Sequence, residues 1–281
     1  MNTKIIGIII LVVAIGGASA YFITKNDPVE TNSFSTQPIS QNEKISLVIN
    51  TINPPQSIDD LEDAYKVAST SGAGRTNLYV YWSQIEPEKG NFDWRVTDIM
   101  MKLNEKYNFK TTLFFSVINA DRLGPFPTWM GNQALGETLE GETIRALDSI
   151  LSRYENIDYV IFAGDIDYHF QRASGSIPTY VEFFDDVYTE IKSKHPDVKI
   201  GNSMSLENVI NKGMEPGGSF ELTPKLEMGD FIALSYKPTD VVGDIDRTPQ
   251  EAITNLEQSL EIFPSQQLAF FEISWSTSGF V

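Results

Sequence analysis

The sequence contains no cysteine and only two histidines among its 281 residues. Without cysteine, disulfide bonds, thiolate zinc sites and cysteine nucleophiles are excluded. With His169 and His195 as the only imidazoles, a histidine-rich metal centre is excluded as well. Positive charge is also scarce: 21 Lys and Arg stand against 38 Asp and Glu, for a formal net charge of −17. Because a surface this acidic repels phosphate backbones, we expect no nucleic-acid partner.

A long uncharged run lies at the amino terminus. Residues Ile5–Thr24 separate Lys4 from Lys25. A helix that crosses the hydrocarbon core needs about 20 apolar residues, so residues 1–25 fit a signal anchor. Ala18–Ala20 resembles a small-residue cleavage site, so a removed signal peptide fits as well. Both interpretations predict an extracytoplasmic domain, which is either anchored to the cell membrane through the amino-terminal helix or secreted.

The rest of the chain alternates short apolar runs with longer amphipathic segments. Residues 26–44 are polar, contain two prolines and show no apolar period, which is typical of a flexible linker. The apolar runs that follow are Ile45–Asn50, Asn77–Trp82, Thr111–Val117, Tyr159–Ala163, Val198–Asn202, Phe231–Tyr236 and Leu268–Ile273. Strands that alternate with helices predict an α/β fold with a parallel sheet, and this spacing favours a (β/α)8 TIM barrel over residues 45–281.

Two further features refine this prediction. No glycine-rich phosphate loop follows the first run, which argues against a nucleotide-binding doubly wound sheet, and we predict no cofactor. Ser57, Asp93 and Thr248, the last followed by Pro249, are predicted helix N-caps. The 281 residues hold no complete eighth strand and helix, so we expect the barrel to lack part of its eighth unit.

The segment Trp82–Trp94 carries a long and specific pattern, W-x-x-I-E-P-x-x-G-x-F-D-W, directly after the second predicted strand. It resembles the clan of retaining (β/α)8-barrel glycoside hydrolases that includes β-galactosidases, cellulases and xylanases. In that clan the pattern is mostly architectural, so Phe92 is expected to pack the loop. We interpret Glu86 and Glu88 as solvated loop charges. Trp82 either stacks on a sugar ring, as an aromatic at a strand's carboxyl end can, or packs in the core.

Two strand ends supply candidate catalytic carboxylates, because active-site groups in such barrels follow the strands. Glu272 ends the last apolar run, and the resemblance implies that it is the nucleophile. At the end of the fourth run the clan usually has Asn-Glu, whereas this chain has Gly164 and Asp165. Asp165 then takes the place of the acid/base, on an arm shorter by about 1.5 Å. Tyr236 matches the clan tyrosine that hydrogen-bonds the nucleophile.

The resemblance implies an O-glycosyl hydrolase acting on a poly- or oligosaccharide. Carboxyl groups about 5–5.5 Å apart retain configuration and groups about 6.5–9.5 Å apart invert it, so the shorter arm of Asp165 could favour inversion. The alternative is a catalytically inactive barrel that binds carbohydrate or acts as a scaffold at the cell surface. If Asp165 is not the acid, Asp167 and His169 are the next candidates.

Weaker candidates for sugar contacts follow other strands. They are Asn119, Asn202 and Trp275, and the two asparagines could equally be turn residues. The acidic segment Asp240–Asp246 could hold Ca²⁺ through oxygen ligands, but a solvated loop is the simpler interpretation, so no metal is predicted.

Overall fold

The computed structural model describes residues 40–49, 57–210, 219–237 and 247–273. The predicted membrane segment, most of the predicted linker, the acidic segment Asp240–Asp246 and Trp275 lie outside these residues. Among the helices that are described, none is both long and apolar enough to cross a bilayer.

Seven strands form one parallel sheet in which the order of the strands is the order of the chain. The strands of the described residues are β1 Asn42–Leu47, β2 Ala73–Tyr79, β3 Lys110–Phe114, β4 Ile118–Asn119, β5 Arg122–Leu123, β6 Ile157–Ala163, β7 Lys199–Ser205, β8 Phe231–Tyr236 and β9 Leu268–Ile273. The short strands β4 and β5 pair with each other outside the main sheet. Each predicted run overlaps one strand of that sheet, so the predicted α/β architecture is confirmed.

Helices connect the parallel strands, as a right-handed βαβ chain requires. In the described residues they are α1 Ile58–Ser69, α2 Trp82–Ile85, α3 Arg95–Lys106, α4 Glu137–Arg153, α5 Ile166–Arg172, α6 Ile177–Lys194, α7 Leu206–Ile210, α8 Ser219–Leu226 and α9 Pro249–Ile262. Two predicted caps are confirmed, because Ser57 accepts from the N–H of Asp60 and Thr248 accepts from the N–H of Glu251, each within a capping box. The predicted cap at Asp93 was wrong, because the N-cap of α3 is Trp94, which makes no side-chain cap hydrogen bond.

The sheet curls into a nearly closed barrel. The rings of Phe114 on β3 and Phe271 on β9 stack with centroids 5.3 Å apart, although their strands are not neighbours in the sheet. Asn77 on β2 donates from Nδ2 to the carbonyl oxygen of Phe271 at 2.7 Å. Strands β1 and β9 end the hydrogen-bonded order, so the described sheet is a seven-stranded barrel without an eighth strand between them.

A second, larger core fills the space between the sheet and the helices. Phe162 on β6 is fully buried and meets the ring of Phe184 on α6 edge-on, with centroids 5.3 Å apart. Burying an aromatic side chain of this size contributes roughly 1.5–3 kcal/mol, so these contacts stabilise the helical layer against the sheet. The apolar runs are therefore nearly continuous, because both faces of each strand are covered.

Strands β1 and β2 begin at Asn42 and Ala73, earlier than predicted. The polar start of β2 is stabilised by Arg75, whose side chain is only 3% exposed and pairs with Asp158. The Arg75 guanidinium also lies 4.7 Å from the centre of the Tyr159 ring. The barrel thus begins inside the predicted linker, which is a correction to its boundary at residue 45.

Candidate active site at the carboxyl ends of the strands

Asp165 follows β6 at the carboxyl end of the barrel. Its backbone is left-handed, with φ 47° and ψ 48°, a conformation that Asp tolerates better than most residues. The N–H of Asp165 donates to Ser203 Oγ at 2.7 Å, and that hydroxyl donates to Asp165 Oδ1 at 3.1 Å. Ser235 Oγ donates to the same oxygen at 2.9 Å. Hydroxyls from β7 and β8 therefore fix the orientation of this carboxyl group.

The surroundings of Asp165 favour its protonated form. Burial raises the pKa of the carboxyl above its usual value, against the lowering effect of the two serine hydroxyls. The charge of Lys237 lowers this pKa further, and the charge of Glu272 raises it. A buried carboxyl whose pKa is raised is suited to donate a proton, which is what a general acid requires.

Glu272 reaches the same end of the barrel through a bulge in β9. Leu234 pairs with Phe270, but the next residue of β8, Ser235, pairs with Glu272. The extra residue, Phe271, interrupts the alternation of side chains along β9. Phe271 packs inside the barrel, and Glu272, the next residue, still points to the mouth, which is the end of the barrel where the carboxyl ends of the strands lie. Glu272 Oε1 lies 3.1 Å from Lys237 Nζ.

Asp165 and Glu272 face one shared space. Ser235 stands between them, as the hydrogen-bond partner of Asp165 and the strand partner of Glu272. The hydroxyl of Tyr79, at the end of β2, responds to both groups: burial most, and then the charges of Glu272 and Asp165 among others, raise its pKa. The two predicted carboxylates thus converge from distant parts of the sequence.

A third carboxyl group, Asp167, is buried behind the first. It is 1% exposed, and it accepts from the N–H of Ser205 at 3.0 Å and from Asn208 Nδ2 at 2.8 Å. Burial raises the pKa of Asp167 to about 7. Because Asp167 has no access to solvent, it fits a positioning role between α5 and α7 better than direct contact with a sugar.

Glu207 is a fourth acidic group at this end of the barrel among the described residues. Its Oε1 accepts from the N–H of Lys237 at 3.0 Å, and its Oε2 accepts from Ser205 Oγ at 3.4 Å. Burial raises the pKa of Glu207, whereas its hydrogen bonds and the charge of Arg247 lower it. Glu207 therefore fixes the backbone of Lys237, the residue whose side chain pairs with Glu272.

The space beside Gly164 is filled by an aromatic ring. A Cβ atom at position 164 would lie 2.6 Å from Phe114 Cζ, far inside van der Waals contact. An asparagine at this position, as in the resembling clan, would therefore require Phe114 to move. The replacement of Asn by Gly is matched by a large residue on β3 that takes up the room.

Tyr236 has a partner other than the expected nucleophile. The side chain is fully buried in the core between the sheet and the helices, and its hydroxyl accepts from Asn255 Nδ2 on α9 at 2.9 Å. Ser235, the preceding residue of β8, faces the mouth. Because consecutive side chains of a strand point to opposite faces, Tyr236 points away from it. The expectation that Tyr236 orients Glu272 is corrected accordingly.

Trp82 and Glu86 form a buried pair in the loop after β2. Trp82 is 3% exposed in α2, and its indole Nε1 donates to Glu86 Oε2 at 2.6 Å. Glu86 is fully buried and also accepts from the N–H of Gly90 and from Arg145, each at 2.6 Å. Core packing is thus the role of Trp82, and the interpretation of Glu86 as a solvated charge was wrong. Glu88, by contrast, is exposed.

The two predicted asparagines differ in position. Asn119 forms a bridge with Gly164, so it lies beside the carboxylates, and its sugar contact stays a prediction. Asn202 is fully buried and accepts from Tyr180 Oη on α6 at 2.8 Å, which leaves it out of reach of a ligand and corrects the expected contact. Trp275 lies outside the described residues.

Sequence reasoning missed Ser203, Ser235, Glu207 and Lys237. The signal that could have found Ser235 is a small polar residue inside the otherwise apolar strand β8. Ser203 has no such signal, because β7 contains several polar residues. The described cavities, of about 730 and 830 Å³, lie elsewhere, near Lys110 and near Tyr188. Residues 50–56, 211–218, 238–246 and 274–281 are outside the described residues.

Comparisons with known proteins bear on the fold. No family model matches the chain, and no curated protein matches it in sequence. Among solved structures, it is similar to the β-glycosidase BGL167, with a TM-score of 0.54 and 12% identity over 75% of this chain and 66% of that one. It is similar to a family 39 glycoside hydrolase from Bacteroides cellulosilyticus WH2, with a TM-score of 0.54 and 15% identity over 82% of this chain and 49% of that one.

Xylanase 10B from Thermotoga maritima is a third such structure, with a TM-score of 0.54 and 12% identity over 83% of this chain and 71% of that one. The chain thus spans between 49% and 71% of the length of these three proteins. At such low identity the likeness establishes the fold alone. The chain has the TIM-barrel fold found in glycoside hydrolases.

Proposed function

We propose that the protein is an extracytoplasmic O-glycosyl hydrolase in which Asp165 is the general acid/base and Glu272 the nucleophile. The observation that carries the proposal is the convergence of these two carboxyl groups around Ser235 at the mouth of the barrel. Cleavage of a glycosidic bond needs one carboxyl that gives up a proton and a second that is ionised. Burial favours the protonated form of Asp165, and Lys237 Nζ lies 3.1 Å from Glu272 Oε1.

The geometry supplies each step from residues of this chain. Asp165 would protonate the leaving oxygen while Glu272 attacks the anomeric carbon, and Asp165 would then accept a proton from the water that releases the sugar. Ser203 and Ser235 hold Asp165 Oδ1, and no described residue bonds to Oδ2, so this oxygen is available to the leaving group.

The test is hydrolysis of aryl glycosides by the unmodified protein, Asp165→Ala and Glu272→Ala. We expect both variants to lose activity on substrates with poor leaving groups. For Asp165→Ala, which removes the acid, the rate of hydrolysis should fall by a factor on the order of 10²–10⁴. Asp165→Ala should retain more activity on activated leaving groups, which need no protonation. Full activity of Asp165→Ala on poor leaving groups would overturn the acid assignment and direct attention to Asp167 and His169.

A second candidate function is carbohydrate binding without turnover. The observation that favours it is Phe114, which fills the room where the clan asparagine would contact the sugar. Sugar binding by the unmodified protein with no release of product would support this candidate. Where turnover occurs, proton NMR of the first-formed anomer distinguishes retention from inversion.

A further inference from the structure

An ammonium group lies directly on the candidate nucleophile. Lys237 Nζ is 3.1 Å from Glu272 Oε1, and the lysine side chain is 53% exposed. The backbone N–H of Lys237 is held by Glu207 Oε1 at 3.0 Å. The side chain therefore starts from a fixed point at the end of β8, whereas its charged end is free to turn towards another partner.

The ammonium draws negative charge onto Glu272 Oε1, so it lowers the nucleophilicity of the carboxylate that would attack a sugar. An exposed ion pair of this kind contributes only about 0–1 kcal/mol, so a second anion near Lys237 competes for it easily. A neutral sugar offers no such anion, and it would leave Lys237 on Glu272.

Among the residues that the structure describes, the other acidic groups at the mouth do not supply that anion. Burial raises the pKa of Asp165, Asp167 and Glu207, which disfavours additional negative charge there. Glu207 is already engaged by the N–H of Lys237 and by Ser205.

We propose that Lys237 selects sugars that carry an anionic group, a carboxylate or a sulfate, because this group takes over the ammonium and releases Glu272. The inference rests on the proposed function and adds a substrate class to it. A uronic acid and a sulfated hexose present the same chemistry to a lysine, which acts as a point charge rather than as a shaped fork.

The experiment uses 4-nitrophenyl glycosides in matched sets that share one leaving group: a hexoside, its uronide and its 6-sulfate, in the gluco, galacto and manno series. We expect kcat/KM to favour an anionic member over its neutral counterpart by roughly 10- to 100-fold, the effect of one hydrogen bond to a charged group. Lys237→Met should bring this ratio close to one, and Lys237→Arg should preserve most of it. Lys102→Met, at an exposed position on α3, is the control and should leave the ratio unchanged.

The anionic glycoside with the higher kcat/KM, the uronide or the 6-sulfate, shows whether Lys237 selects a carboxylate or a sulfate. An equal rate on neutral and anionic sugars, or a ratio that survives Lys237→Met, overturns the inference but leaves the hydrolase proposal intact. If no glycoside is hydrolysed, the hydrolase proposal fails, and calorimetric binding of the matching methyl glycosides decides the inference. Binding of an anionic methyl glycoside that is lost in Lys237→Met supports it, and absence of such binding overturns it.

Discussion

Glu86 shows how a carboxylate in a polar loop can be one of the most buried groups of the protein. The fully buried side chain accepts hydrogen bonds from Trp82, Gly90 and Arg145. Its neighbour Glu88 is exposed, although the two residues lie in the same short motif. Sequence alone does not separate them, because both are acidic residues next to a proline.

Removal of the Glu86 carboxylate should therefore be costly. Glu86→Ala leaves an indole N–H and a backbone N–H without their acceptor and removes one of the two carboxylates that Arg145 contacts. We expect the free energy of unfolding to fall by about 2–5 kcal/mol, because each unsatisfied buried donor costs about 1–3 kcal/mol. The measurement is urea denaturation. Glu88→Ala is the control, expected within about 0.5 kcal/mol of the unmodified protein. Similar effects of the two substitutions would contradict the buried network.

Gly164 and Phe114 should behave as a coupled pair. Gly164→Ala places a Cβ atom 2.6 Å from Phe114 Cζ, and such overpacking costs about 1–3 kcal/mol. In the background of Phe114→Leu, the same substitution should cost less, which a double-mutant cycle measures. Gly141→Ala on α4 has open space around it and should instead stabilise by about 0.5–1 kcal/mol. An additive cycle would show that the ring does not fill this space.

Asp167 should make stability depend on pH. Burial raises the pKa of Asp167 from 3.8 to about 7, so the folded protein keeps a proton that the unfolded chain releases. The contribution of this group to the free energy of unfolding is therefore largest below about pH 4, falls as pH rises to about 7, and is constant above that. The pKa values of Asp165 and Glu207 are also raised, so these two groups likewise lower the free energy of unfolding as pH rises.

The test compares urea denaturation of the unmodified protein and Asp167→Asn from about pH 5 to about pH 8. The variant keeps the size of the side chain but does not titrate, so its stability should decline less over this range, by a few kcal/mol at most. Parallel pH profiles for the two proteins would contradict the burial of Asp167 as a protonated acid.

At the scale of elements, the strands were predicted well where they are apolar and poorly where they are polar. β8 and β9 have the predicted bounds, Phe231–Tyr236 and Leu268–Ile273. β2 begins with Ala-Gly-Arg-Thr, and its start was missed because a partner from another strand, Asp158, makes the burial of Arg75 favourable. Partners of this kind are defined only once the barrel has closed.

Helix α9 illustrates an element whose start is specified locally. Thr248 and Glu251 form a reciprocal capping box. Thr248→Ala should lower the free energy of unfolding by about 1 kcal/mol, because it leaves the N–H of Glu251 without its acceptor. Thr254→Ala, at an exposed position inside the same helix, is the control and should be neutral or slightly stabilising. Equal losses in thermal denaturation would contradict the cap.

At the scale of the whole molecule, the barrel and its two carboxylates were predictable and the inner contacts were not. Strands that alternate with helices specify the architecture, and the ends of such strands specify where Asp165 and Glu272 meet. Tyr236 was misassigned because β8 is buried on both faces, so its apolar pattern does not show which side chains face the mouth. The roles of Ser203 and Ser235 depend on Asp165, which is far away in the sequence.

The central claim, that Asp165 and Glu272 share one site, is tested most directly by titrating the Asp165 carboxyl by ¹³C NMR in the unmodified protein and in Glu272→Gln. The negative charge of Glu272 raises the pKa of Asp165 and the charge of Lys237 lowers it. Glu272→Gln removes the negative charge of Glu272 and leaves the positive charge of Lys237 without its partner, so the pKa of Asp165 should fall. Glu88→Gln is the control and should leave the pKa of Asp165 unchanged. An Asp165 pKa that is the same in all three proteins would contradict a shared site.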